Sequence, residues 1–188
     1  MHLVSKTKNL LFDYMSQELK LSLAQWSLQK AFQSGTLDPI LFAKISKKVF
    51  DTHAVEYVSS FFSDKGNDDS FLISMKDRFD EHEVQNFLIL VDNEDYLGDE
   101  DNKLRQKAIE THYKWIHKPK IMDCHSVIVN AFWAADPSIF KASLIDGLTR
   151  LSTYAAKKTS IFYVKLIVCS VQMPNLSPQS SQKSIYRI

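Results

Sequence analysis

The sequence predicts an all-α domain, a compact bundle of about six or seven antiparallel helices. Three observations carry that prediction. Apolar residues recur at helical spacing through most of the chain. Asp38-Pro39 and Asp136-Pro137 each pair a helix-capping acid with a first-turn proline. The stretch joining the apolar runs 71–75 and 87–91 contains neither glycine nor proline, which favours one long or broken helix over two strands. The alternative is an α+β fold with a small sheet built from 71–75, 87–91 and 161–171.

Taken in order, Leu10, Leu11, Tyr14, Met15, Leu19, Leu23, Trp26 and Phe32 give a first amphipathic helix over 6–34, which Gly35 stops. A second starts at Asp38-Pro39 and runs to 64, with Leu41, Phe42, Ile45, Val49, Tyr57 and Phe61 on one face. Ser70 is placed to cap a third element over 71–91, whose stripe includes Val84, Phe87, Leu88 and Val91. Residues 92–101, DNEDYLGDED, read as an exposed acidic loop that supplies negative charge to the start of the next helix. Helices over 101–117, 122–135 and 138–156 follow, and Lys118-Pro119 ends the first of these. The β-branched run 161–171 suits a buried helix or a strand. A single helical domain over 1–173 and a flexible tail over 174–188, rich in Ser and Gln, complete the expected organisation.

Composition narrows the function. With 45% hydrophobic and 24% charged residues the chain has the makings of a globular core. Its 23 basic and 22 acidic residues argue against a globally basic nucleic-acid binder. Four widely separated glycines exclude a phosphate-binding loop and a dinucleotide fingerprint. Two distant cysteines, Cys124 and Cys169, favour a reducing, cytoplasmic setting, and no apolar run reaches the length of a membrane span.

The densest reactive cluster is Glu110, His112, His117, Asp123, Cys124 and His125, but it contains neither HExxH nor CxxC. No metal site is therefore expected, and no cofactor. Cys124 and His125 are sequential neighbours that a helix would point apart, so a catalytic thiol is not expected either. The acidic loop is not a calcium-binding loop. With Gly98 in the sixth position, Leu104 falls where calcium needs a bidentate carboxylate. The basic stretch from 103 to 120 spreads its charge around the helix, which weakens a nucleic-acid surface.

Arg105 and His112, in RQKAIETH, lie about two helical turns apart on nearly one face. This spacing resembles the Arg-x(4–6)-His motif of the HEPN family of all-α ribonucleases. That resemblance implies a metal-independent enzyme in which a dimer brings the arginine and histidine to a phosphodiester. Gln106 departs from the small polar residue that often follows the family's arginine.

The leading expectation is a non-enzymatic intracellular protein that binds another protein as an adaptor, inhibitor or immunity-type factor. Asp92, Glu94, Asp95, Tyr96, Asp99 and Glu100 of the acidic loop, and Tyr186 of the tail, are the expected partner-binding residues. The HEPN-like ribonuclease and a nucleic-acid-binding regulator are the alternatives. A homodimer is compatible with these readings, nucleic acid is the weaker partner, and no membrane contact is expected.

Overall fold

Strands and helices alternate along the chain, in place of the expected helical bundle. The computed structural model describes residues 20–131, 137–157, 164–168 and 185–187. Their elements are β1 (Leu23–Ala24), α1 (Gln29–Gln33), α2 (Phe42–Val49), β2 (Ala54–Val58), α3 (Asp69–Glu81), β3 (Gln85–Val91), α4 (Asn102–Ile116), α5 (Lys118–Met122), β4 (Ser126–Ala131), α6 (Pro137–Ala156), β5 (Val164–Val168) and β6 (Ile185–Arg187). Short 3₁₀ turns, Gln25–Leu28 and Ser59–Phe61, follow β1 and β2 directly.

The described strands form one six-stranded sheet whose spatial order repeats the chain order. β1 to β5 are parallel, with β3 and β4 in register at Leu90 and Ile128, and β6 returns antiparallel against β5. Parallel strands are covered on both faces, so they read as nearly continuous apolar runs. NFLILV and SVIVNA are such runs, which a helical stripe matches equally well.

The all-α expectation fails at three helix-to-strand turns. Asp51 (φ 49°), Glu83 (φ 54°) and Asp123 (φ 55°) adopt the left-handed conformation between α2 and β2, α3 and β3, and α5 and β4. Glycine is the usual residue there, because a Cβ costs roughly 1–2 kcal/mol in that region. Here acids take the turn, so segments that looked continuous are divided. The expected helix over 38–64 ends at Val49 and resumes as a strand. The expected element over 71–91 becomes α3 and β3, with Asp68 rather than Ser70 as its cap. Of the helix expected over 122–135, Ser126–Ala131 is instead β4, and 132–135 lie outside the described residues. Of the three segments offered for a small sheet, 87–91 lies in β3 and 164–168 is β5, whereas 71–75 is helical. α4 and α6 coincide with predicted helices. Residues 174–184 lie outside the described residues, and Ile185–Arg187 pairs with β5.

One face of the sheet packs Val55, Tyr57, Ile89, Val91, Val127 and Val129 against α3 (Leu72, Met75, Phe79), α4 (Ala108, Ile109, Trp115) and α6 (Leu144, Leu148, Leu151). The acidic loop is drawn into this core. Leu97 is fully buried, and a Cβ on Gly147 of α6 would collide with its carbonyl oxygen, so the glycine is what admits the loop. No helix among the described residues is long and apolar enough to cross a membrane.

Candidate functional site

Consecutive parallel strands bring their carboxyl ends to the same edge of the sheet, and the first residues beyond those ends form a common surface. In this chain a polar side chain closes each of the first four strands. Gln25 follows β1, Ser59 and Ser60 follow β2, Asp92 follows β3, and Asn130 is the penultimate residue of β4.

These groups are hydrogen-bonded across the strand ends. The Val58 amide donates to Gln25 Oε1 at 2.8 Å, tying β1 to β2. Ser59 Oγ accepts from the Asp92 amide at 2.9 Å and donates to the Asp92 carbonyl at 3.1 Å, tying β2 to β3. Ser60 Oγ donates to Asp92 Oδ2 at 3.0 Å, and Asn130 Nδ2 donates to Asp92 Oδ1 at 3.3 Å. Asp92 is thus the hub, a half-buried carboxylate with one neighbour on each oxygen. A carboxylate offers about four acceptor positions, so it retains capacity for hydroxyl donors. Asn93 turns left-handed immediately after it (φ 58°) and redirects the chain. Gln25 is completely buried, and its Nε2 has no hydrogen-bond partner among the described residues. Buried donors of this kind are uncommon in native structures.

The loop carrying Asp92 is held from several sides. Glu94 accepts from Trp115 Nε1 at 2.8 Å and from Lys114 Nζ at 2.7 Å. Asp95 pairs with Lys107 at 3.1 Å, and Asp101 caps α4 through the Lys103 and Leu104 amides. The Asp99 carboxylate accepts from the Asp101 amide, and Arg105 donates to the Asp99 carbonyl at 2.6 Å and to that of Glu100 at 3.4 Å. Tyr96 is half exposed. The acidic loop is therefore a clamped connection with a buried centre, not a wholly solvated one. Tyr186, in β6, is in register with Leu166 of β5.

The ribonuclease pair is not assembled. Arg105 is largely buried and bonded to Asp146 at 2.8 Å and to Asn102 at 3.1 Å, which commits its guanidinium to joining α4 and α6. His112 is buried, with Nδ1 2.7 Å from the Ala108 carbonyl oxygen, and burial pushes its pKa down. His117 Nε2 lies 3.0 Å from the Tyr154 hydroxyl, and His125 stacks on Phe87. Burial also raises the Cys124 thiol far above its ordinary value, which keeps it protonated and unreactive. Among the described residues no group of three or more His, Cys, Asp or Glu side chains is arranged to hold a metal.

Of the strand-end residues, only Asp92 stood out in the sequence, and as a charge. Gln25, Ser59, Ser60 and Asn130 were missed. Their signal is an apolar run ended by a polar residue, seen in SLAQ, EYVSS, LILVD and VIVN.

No family model and no curated protein matches the chain. Solved structures do. A candidate xylose isomerase from Rhodospirillum rubrum superposes with a TM-score of 0.64 at 14% identity, over 84% of this chain and 57% of that one. D-psicose 3-epimerase, determined in the presence of D-fructose, gives 0.59 at 12% identity over 80% of this chain and 52% of that one. The 3-keto-D-glucoside 4-epimerase of Escherichia coli gives 0.54 at 12% identity over 67% and 50%. The chain spans about half the length of the solved structures it matches. These likenesses fix the fold as α/β of the (β/α)-barrel kind and overturn the all-α bundle. The expected all-α adaptor and the all-α ribonuclease are corrected with the fold: the solved structures that share it are a candidate sugar isomerase and two sugar epimerases.

Proposed function

We propose that this chain provides part of the substrate-binding face of a (β/α)-barrel protein that acts on a monosaccharide, in the manner of an isomerase or epimerase. The observation that carries the reading is the hydrogen-bonded row Ser60, Asp92 and Asn130 at the carboxyl ends of three consecutive parallel strands. Barrel enzymes place their ligands on that face. A cluster of hydroxyl, carboxylate and amide groups matches a polyhydroxylated ligand, whose hydroxyls donate and accept at short range. The sugar isomerase and epimerases that share the fold support the same substrate class.

In this reading Asp92 accepts hydroxyl protons from the sugar, while Ser60 and Asn130 hold its two oxygens in place. Rigid placement matters because orienting groups work only when they need not reorganise on binding. A cytoplasmic setting is part of the proposal and rests on the sparse cysteine content.

The test is a titration of the purified chain with D-fructose and D-xylose, followed by amide chemical shifts, with Asp92→Ala alongside. Saturable binding of one sugar that weakens at least tenfold in the variant is expected. A folded wild-type chain that binds neither sugar would overturn the reading.

A further inference from the structure

The helices cover the sheet face that carries Val55, Tyr57, Ile89, Val91, Val127 and Val129. Residues alternate between faces along a strand, so the residues between these belong to the opposite face. Register carries that second face across the sheet: Val58 lies beside Leu90, Leu90 beside Ile128, Ile128 beside Lys165, and Lys165 beside Arg187 of β6. Two cations therefore stand directly opposite one another in an antiparallel pair, at the end of an otherwise apolar row. The next row toward the carboxyl ends of the parallel strands contains Asn130, in register with Ile167, two residues beyond Lys165. Two residues of strand span about 6.6 Å, so the cationic pair is placed one row from the Asp92 cluster, on the same face.

Like charges directly opposite in an antiparallel pair are destabilising. The acids of the described strands and of the polar row lie elsewhere on this face. Glu56 is three strands from β5 and accepts from Ser22 Oγ at 2.5 Å. Asp92 follows β3, two strands and roughly 10 Å from β5, and is bonded to Ser60 and Asn130. Two adjacent cations at the margin of a polar row suit an anion that also has hydroxyls to offer.

We propose that Lys165 and Arg187, neighbours in register on the Asp92 face, bind the phosphate of a phosphorylated monosaccharide whose hydroxyls reach Asp92. This rests on the monosaccharide reading above and names the class of sugar. A phosphomonoester carries about −1.5 to −2 charges near neutral pH, which matches two cations better than the single charge of a sugar carboxylate. Arginine engages two phosphate oxygens with its planar fork, and lysine adds a point charge. The ligand would lie across two rows of one face, with its charged end at β5 and β6 and its hydroxyls at the ends of β3 and β4.

The experiment titrates wild type, Lys165→Gln and Arg187→Gln with D-fructose 6-phosphate, D-fructose and inorganic phosphate, followed by amide shifts, with a thermal melt of each chain. In wild type the ester should bind at least about tenfold more tightly than fructose. Each variant should lose most of that advantage and keep its fructose affinity within about twofold. Neither should melt below wild type without ligand, because each substitution removes a repulsion. Equal affinity for ester and free sugar in wild type, or an advantage that survives both substitutions, overturns the phosphate site and leaves the monosaccharide reading intact. Equal losses for ester and free sugar in the variants also overturn it, because they mark a general disturbance of the face. Inorganic phosphate that binds as tightly as the ester overturns it too, since the sugar would then contribute nothing. Failure of wild type to bind either fructose or its ester overturns both proposals.

Discussion

The two ends of the parallel strands are built on different principles. At the amino ends the chain enters β2, β3 and β4 through Asp51, Glu83 and Asp123, each twisted into the left-handed region. There the acids serve the backbone. At the carboxyl ends the residues of interest are Ser59, Ser60, Asp92 and Asn130, whose side chains bond one another across strands. There the backbone serves the side chains. One end solves a folding problem, and the other presents chemistry. Substitutions should therefore separate: changes at the entry turns move stability and leave ligand affinity alone, and changes at the exits do the reverse.

The largest effect should come where the exit face leans on a helix. Gly147→Ala would drive a methyl group into the Leu97 carbonyl and displace the loop that carries Asp92. Overpacking of this kind costs about 1–3 kcal/mol, and urea unfolding of the variant should read near the top of that range. Sugar affinity should fall with it, which would break the separation at this one point.

Next is Asp92→Ala. The tenfold loss of sugar affinity amounts to about 1.4 kcal/mol. Ser60 and Asn130 lose an acceptor but keep access to water, so the melting temperature should move little. A large drop in melting temperature would mean that the exit row is structural after all.

Glu83→Gly tests the opposite end. Relieving the left-handed strain, less the extra freedom glycine gives the unfolded chain, should stabilise the fold by up to about 1 kcal/mol. Sugar titrations should be unchanged. Equal stability in variant and wild type would show that the carboxylate side chain compensates the strain locally.

The smallest effect concerns His112, on the buried side of α4. Burial lowers its pKa, an effect only partly offset by the Ala108 carbonyl and the Glu94 charge. Below the ordinary histidine value of about 6.5, the unfolded chain takes up a proton that the folded chain refuses. Stability is therefore full above that value and declines as the pH falls toward the lowered folded value. His112→Gln should flatten this acid limb in denaturant titrations between about pH 7 and pH 5, whatever it does to stability at neutral pH.

The legible and illegible parts of the sequence divide along the same line. α4 and α6 are long; Asp101 caps the first and Pro137 starts the second. Those helices could be read directly. β2, β3 and β4 could not, because their short apolar runs fit a helical stripe as well as a strand. The turns before them lacked the glycine that normally announces a helix end. Asp92 was visible as a charge in an acidic run, yet its partners were not, since Ser60 and Asn130 are far apart in sequence and meet only when neighbouring strands are parallel. Arg105 and His112 show the converse error. Their spacing matches a catalytic motif, but Asp146, 41 positions from Arg105, claims the arginine.

The sheet's strand order, which repeats the order of the chain, has a consequence for how the protein is made. Each strand with its helix can dock on the unit synthesised just before it, without waiting for a distant segment. On a ribosome the growing sheet is then always templated by its last finished edge, and the pairings that form first are the ones the finished molecule keeps.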